Sequence, residues 1–365
     1  MHQHPGWPRL EWRQEEIADK LAEVRYLQGR LVGRMDALGF RPSQEAMLDA
    51  LAGEVVKSSE IEGEMLDLER VRSSVARQLG LDFGGLLLPD RNVDGVVEMI
   101  LDATQKYAQP LTAERLFDWH FALFPSGKSG MMPITVGNWR DDRGGPMQVV
   151  SGPIGREMVH YEAPAATRLD QEMKMFLDWF NEPPNTDPVL KAGLAHLWFV
   201  NIHPFDDGNG RIGRAIGEMA LARSEDSPQR FYSMSSQIRL ERNDYYDILE
   251  RTGKGTTDIT GWMIWFVGCL GRTIENTEGN LAAILAKARF WERIADISIN
   301  ERQRKVINLL LGDFQGNLTS SRWARITKCS QDTAGRDITA LVSHGILARG
   351  PQGGRSTNYV LVKEW

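Results

Sequence analysis

The sequence predicts a mainly α-helical protein whose body is interrupted by one β-hairpin and followed by a small basic domain of helices and a second hairpin. Three observations carry this. Apolar residues recur at helical spacing along most of the chain, with no β-α-β alternation and no internal repeat. The main departure is 126–165, rich in glycine and proline around two short apolar runs. From about Ile299 the texture changes, and residues 299–365 carry ten Lys/Arg against five Asp/Glu in a chain of net charge −6.

A length of 365 residues predicts two or three domains, and 42% apolar with 25% charged residues fits an ordinary soluble globular protein. The mild net charge excludes a polyelectrolyte binder for the whole chain, while a basic end on an acidic body suggests two jobs. Cys269 and Cys329 lie far apart without metal-type spacing, which excludes a disulfide framework or a zinc site. Met1–Pro8 contains no apolar leader, and the longest apolar run, Met263 to Leu270, is far short of a membrane span. A cytoplasmic protein with no membrane partner is expected.

In chain order, Ile17, Leu21, Val24, Leu31, Met35 and Leu38 alternate spacings of four and three, with Gln28 at the one polar position in the series. This is the seam of an amphipathic helix, closed by Gly39. It defines an N-terminal helical extension, 1–41, that either packs on the body or forms a homodimer. Pro42-Ser43 opens a second helix with Leu48, Leu51 and Val55, running to Ser58 and Glu62 on one face and stopping at Gly63. A Glu in that last turn opposes the helix dipole. Further helices are expected at 64–80, 91–107 and 111–123. Met147–Gly152 and Met158–Tyr161, joined through Pro153-Ile154-Gly155, read as a hairpin. Helices resume at 166–181, 188–201, 211–224, 242–252, 257–277 and 280–296. Beyond 298, helix 301–312, the segment Leu318–Trp323, a recognition helix Ser330–His344 and a glycine-tipped hairpin around Arg349–Arg355 predict a winged helix-turn-helix.

The chemistry concentrates in His203-Pro204-Phe205-Asp206-Asp207-Gly208-Asn209-Gly210-Arg211-Ile212-Gly213-Arg214. Glycine-rich backbone at the start of a helix can turn its N–H groups toward an anion. Arg211 and Arg214 lean to one side of the first turns, where cations oppose the dipole unless an anion neutralises them. Polyphosphate is the obvious anion. A carboxylate beside it, Asp206 or Asp207, suits Mg²⁺, and His203 suits a general base toward a hydroxyl. Gly208-x-Gly210-x-x-Gly213 formally matches a dinucleotide fingerprint, but Leu190, Leu194, Leu197 and Asn201 step helically where that motif needs a strand. A metal hydrolase built on His196, His203, Asp206 and Asp207 leaves both arginines idle. His120, His160 and His196 are expected to be packed or surface residues.

The loop resembles the signature of the Fic family, His-x-Phe-x-(Asp/Glu)-Gly-Asn-Gly-Arg-x-x-Arg, at every fixed position, and the resemblance extends over roughly 44–270. It implies a Fic-type helical core over 42–297, with the 148–161 hairpin as its flap and 298–365 as the winged helix. The implied activity is transfer of AMP from ATP to a Tyr, Thr or Ser hydroxyl of a protein, itself included; de-AMPylation can run on the same loop. His203 would be the general base and Asp207 the Mg²⁺ ligand. ATP would meet Gly208, Asn209, Gly210, Arg211, Ile212, Gly213 and Arg214, together with Tyr245 and Tyr246. The Asn209 side chain is expected to join the backbone in cradling the phosphates. Gln148, Val149, Val150, Ser151 and Gly152 of the flap would clamp the protein substrate by β-augmentation.

By the same resemblance, Ser58-x-x-x-Glu62-Gly63 is similar to the family's inhibitory motif, on a helix of about 44–63. Glu62 would pair with Arg214 and block a productive γ-phosphate pose, which also explains a carboxylate at an unfavourable helix end. The competing function is a DNA-binding regulator whose core only senses nucleotide, with Arg336, Arg349 and Arg355 as phosphate contacts, a winged helix used for protein contacts being the equal alternative. An intact loop argues against a core that only senses.

Overall fold

The computed structural model describes all residues except 37–39, 82–86, 89, 152–157, 312–313, 315, 351–356 and 363–365; the side chains of 40–42, 151 and 280–288 are also outside the description. Leu38, Gly39, Gly152 and Arg355 therefore lie outside the described residues. The chain divides into two units, Met1–Thr277 and Glu278–Trp365. In the first, α1 (Ala18–Asp36), α2 (Phe40–Ile61), α3 (Leu68–Gln78), α4 (Arg91–Gln105) and α5 (Ala113–Leu123) precede two antiparallel pairs. These are β1 (Lys128–Ser129) with β2 (Met132–Pro133), and β3 (Gln148–Ser151) with β4 (Met158–Glu162). There follow α6 (Leu169–Asn181), α7 (Pro188–Ile202), α8 (Asn209–Glu225), α9 (Met234–Leu240), α10 (Arg242–Lys254) and α11 (Thr260–Arg293), whose residues from Glu278 on belong to the second unit.

The hairpin of α7 and α8 is the centre of this unit. Asp187 caps α7 by accepting the Val189 amide, and Pro188 occupies the first turn, where a missing N–H costs nothing. α7 is buried almost all round, as its uninterrupted apolar sequence requires. Gly193 lets α11 close in, since a Cβ there would stand 2.8 Å from the Phe266 ring. Gly213 does the same between α7 and α8, 2.8 Å from Val200.

The seam of α1 is buried as expected at Ile17, Leu21, Val24, Leu31 and Met35, with Gln28. Gln28 donates to Glu225 at 2.8 Å, and Arg25 forks onto Asp187 at 2.7 and 3.1 Å. The extension packs on the body of its own chain. α2 begins at Phe40, ahead of the expected Pro42, which a first turn tolerates.

Several expectations need correcting. The helices expected at 257–277 and 280–296 form one helix, because an isolated Gly279 costs only about 1 kcal/mol against Ala. α8 starts two residues early, at Asn209. The short α9 and the β1–β2 pair were not expected; α9 depends on tertiary contacts that no local periodicity reveals.

In the second unit, α12 (Glu301–Leu310), α13 (Ser320–Thr327) and α14 (Gln331–Ser343) lead into antiparallel β5 (Leu347–Arg349) and β6 (Tyr359–Leu361). Leu318 bridges to Tyr359. Val306, Ile307, Trp323, Ile338, Leu341 and Leu347 form its core, joined by Phe290 near the end of α11 and Ile294 just after it, both within this unit. Ser330 caps α14 and His344 ends it, the limits expected for the recognition helix. Arg336 and Arg349 are exposed.

Candidate active site

α7 delivers His203 as its C-terminal cap, in the left-handed conformation with φ 52° and ψ 58°. A non-glycine residue there is strained and must be held by its surroundings. The ring Nδ1 lies 3.3 Å from the Val200 carbonyl, a bond only an Nδ1–H can make, so Nε2 carries the lone pair. Burial pushes the His203 pKa down to about 4, against the raising effect of the Val200 carbonyl. At neutral pH the imidazole is uncharged and able to accept a proton.

The loop after His203 is built around Phe205, which is fully buried and stacks on His120 with ring centroids 4.2 Å apart. Asn209 accepts from the Phe205 amide at 3.0 Å and donates to its carbonyl at 2.8 Å. Its side chain thus braces the loop backbone. Asp206 accepts from the Thr135 amide at 2.8 Å and fastens the loop from outside. Asp207 faces Ser129 and the Gly208 amide. Of the two carboxylates weighed, Asp207 is the one held at the mouth of α8.

Gly208 precedes α8 with φ +83°, which favours glycine. The first amides of α8 have no partner within the helix. Gly210 leaves that surface open, because a Cβ there would stand 2.1 Å from Glu62 Oε1. Ile212 is core and its amide bonds the Gly208 carbonyl, while Gly213 serves helix packing.

Both loop guanidiniums are buried, and both meet carboxylates from the end of α2. Arg214 donates to Ser58 Oγ and Ser58 O at 2.9 Å each, and to Glu62 Oε1 at 2.8 Å. Its Nη1 has no hydrogen-bond partner among the described residues. Arg211 donates to Glu64 at 2.6 Å and lies over the Phe124 ring at 5.0 Å. Gly63, at φ +88°, turns the chain so that the Gly63 and Glu64 amides reach the Glu60 and Ser59 carbonyls. This ends α2 in a Schellman turn and leaves Glu62 as its cap. The unfavourable dipole of α2 is offset by Arg214 and by the positive end of α8.

The C-terminal half of α2 is pinned at two points. Buried Glu54 accepts from Ser233 Oγ at 2.7 Å, from the Ser235 amide at 2.9 Å and from the Ser235 hydroxyl. The Ile61 carbonyl accepts from Arg242 Nε at 3.0 Å and Tyr246 OH at 3.3 Å. Arg242 and Glu64 were missed in the sequence. An Arg three residues before the tyrosine pair and a Glu just after Gly63 were the available signals, but single charges are common.

Glu62, His203, Gly210 and Tyr246 line a cavity of about 500 Å³ whose far wall is Val149 and Val150 of β3. Tyr245 reaches the same cavity, but it is buried and its hydroxyl is 2.9 Å from His196 Nε2. Gln148 pairs with Glu162 across the hairpin, and a bulge falls between Val149 and Val150. Among the described residues, no group of three His, Cys, Asp or Glu side chains could hold a metal ion.

A neutral imidazole, a helix N-terminus and two buried guanidiniums on one loop match a known family. Residues 110–221 match the family model described as Fic/DOC family, and residues 1–81 match one described as Domain of unknown function (DUF4172). The chain carries a Fic/DOC domain. Similar curated proteins include Protein adenylyltransferase Fic of Nematostella vectensis, 24% identical over 274 residues, covering 73% of this chain and 57% of that protein. The protein of the same name from Culex quinquefasciatus is 26% identical over 279 residues, covering 72% and 49%. The chain thus spans about half the length of these relatives. Among solved structures, a Fic family protein from Desulfovibrio desulfuricans G20 has a TM-score of 0.54 at 20% identity, covering 96% of each chain. A Fic domain containing signaling protein from Bacteroides thetaiotaomicron has a TM-score of 0.53 at 20% identity, covering 73% of this chain and 98% of that one. These structures show that the Fic fold is shared.

Proposed function

We propose that this Fic protein is an autoinhibited adenylyltransferase, moving AMP from ATP to a Tyr, Thr or Ser hydroxyl of a protein. One observation carries the reading: a neutral base and an anion site share one cavity, and the chain's own Glu62 already sits in the anion site. In the reaction, His203 Nε2 takes the proton of the target hydroxyl as its oxygen attacks the α-phosphorus. The bond from that phosphorus to the bridging oxygen breaks, and pyrophosphate leaves with the electron pair. The α8 amides, Arg211 and Arg214 stabilise the charge on the departing phosphates. The apolar wall at Val149 and Val150 fits a nucleoside and offers a strand edge to the target.

Asp207 would hold Mg²⁺. A single carboxylate suits an ion whose remaining ligands are nucleotide phosphates and water. That ion would neutralise phosphate charge.

The test is incubation with α-labelled ATP and Mg²⁺, followed by mass spectrometry of the modified residue. The charge-assisted bond from Arg214 to Glu62 is of a kind worth about 1.5–3 kcal/mol. Its loss in Glu62→Gly should raise labelling about 10- to 100-fold. His203→Ala in that background should abolish labelling. No gain from Glu62→Gly would remove the inhibitory role, and labelling that survives His203→Ala would remove the base.

A further inference from the structure

The C-terminal turn of α7 has carbonyls that the helix itself cannot pair. Two of them are taken by side chains from the flap hairpin and its base. Tyr161 of β4 donates its hydroxyl to the Asn201 carbonyl at 2.7 Å. Arg140, upstream of β3, donates Nε to the His203 carbonyl at 2.8 Å, and its own amide bonds the Pro204 carbonyl at 2.9 Å.

Arg140 is only 3% exposed and also ties the other side of the hairpin. Its Nη2 donates to the Pro164 carbonyl just after β4, and its Nη1 pairs with Asp142 at 2.9 Å. Asp142 in turn accepts the Ala166 amide at 2.6 Å. Tyr161 is likewise held from behind. His2 Nδ1 is 3.1 Å from its hydroxyl, and Gly253 lets its ring sit close, since a Cβ there would be 3.1 Å from Tyr161 Cδ2. A burial cost this large for a guanidinium, set against two backbone carbonyls and one carboxylate, is hard to explain as packing.

We infer that Arg140 and Tyr161 are positioning residues that hang the flap from the carbonyls of His203 and Asn201. They fix the docked target hydroxyl relative to the imidazole. The inference rests on the transferase reading for its kinetic consequence, but the tie itself does not. Neither residue bonds to the Arg211 or Arg214 guanidinium, so both act on alignment and leave phosphate binding alone.

The experiment uses the full chain carrying Glu62→Gly, with Tyr161→Phe and Arg140→Gln added separately. Tyr161→Phe removes one hydroxyl and keeps the ring, so it remains informative if Arg140→Gln fails to fold. Hydrogen exchange should rise in peptides covering 146–163 and 199–205. The kcat for labelling should fall about 10- to 100-fold with KM for ATP unchanged, the signature of lost alignment. Arg140→Lys, which keeps one donor, should recover part of kcat. Unchanged exchange overturns the tie. A parallel loss of kcat and ATP affinity, or kcat within twofold of the parent, overturns the positioning role. If the Glu62→Gly parent is inert while exchange rises as expected, the transferase reading fails and the tie stands.

Discussion

Two buried arginines, Arg214 and Arg230, are held in different ways. Arg230 is 1% exposed and donates to Glu218 at 2.8 and 3.1 Å, to Glu225, and stacks over Tyr232 at 4.4 Å. All these partners lie within twelve residues of it in sequence. Glu225 also accepts from Tyr232 and Gln28, which closes the network. Arg214 is 3% exposed, yet its side-chain partners Glu62 and Ser58 come from 152 and 156 residues away. A structural guanidinium is saturated by its own neighbourhood. Arg214 instead depends on a distant carboxylate whose side chain is 30% exposed. Glu62 caps α2, so its side chain can swing away while the pinned helix stays in place.

The largest effect should come from Arg230. Arg230→Leu leaves Glu218 and Glu225 buried without their cation, and breaking such a pair costs about 3–5 kcal/mol. Urea unfolding of the full chain should show that loss. Arg214→Leu should cost less, because the Glu62 side chain is 30% exposed and can turn to water. In a Glu62→Gly background it should nevertheless abolish labelling. Equal stability losses, or labelling that survives Arg214→Leu, would dissolve the contrast.

Much of this site was legible in the sequence because its parts are consecutive. His203, Asp207, Gly208, Gly210, Arg211 and Arg214 needed only their order and the helix after them. Ser58, Glu62 and Gly63 needed the family resemblance, since their meaning depends on a partner far along the chain. A motif does not say which atoms face inward, so the bonds between the Asn209 amide and the Phe205 backbone were not legible. Arg140, Tyr161 and Arg242 could not be found. Each works by bonding a backbone carbonyl, and nothing in a sequence marks which carbonyl a helix end leaves open. The fold was readable where periodicity is long, as in α1 and α7, and not where a short element such as α9 is held by its neighbours.

An intermediate effect is expected from pH. Burial pushes His120 down to about 4, His203 to about 4 and His196 to about 3, whereas an unfolded histidine titrates near 6.5. Between those values the unfolded chain binds more protons than the native one, so stability rises with pH through that window. It should be fully present above about pH 6.5 and be lost as pH falls toward 4. Urea midpoints at pH 7.5 and 5.5 measure this above the usual carboxylate range. In the Glu62→Gly protein, labelling per folded molecule should stay flat from pH 6 to 8, since His203 remains neutral throughout. A limb near pH 6.5 would mean that the imidazole is more solvated than its position indicates.

The smallest effect separates the two carboxylates that meet the loop. Glu64 pairs with Arg211 at 2.6 Å, but its side chain is 49% exposed while that of Arg211 is 3% exposed. A pair with one partner in solvent contributes about 0–1 kcal/mol and weakens with salt. Glu64→Gln should therefore raise labelling by no more than about fivefold, alone or on top of Glu62→Gly, and the gain should shrink at high ionic strength. A rise matching that of Glu62→Gly would make Glu64 an equal partner in the block. In that case exposure would be a poor guide to which carboxylate holds the site, since Arg211 and Arg214 are buried alike.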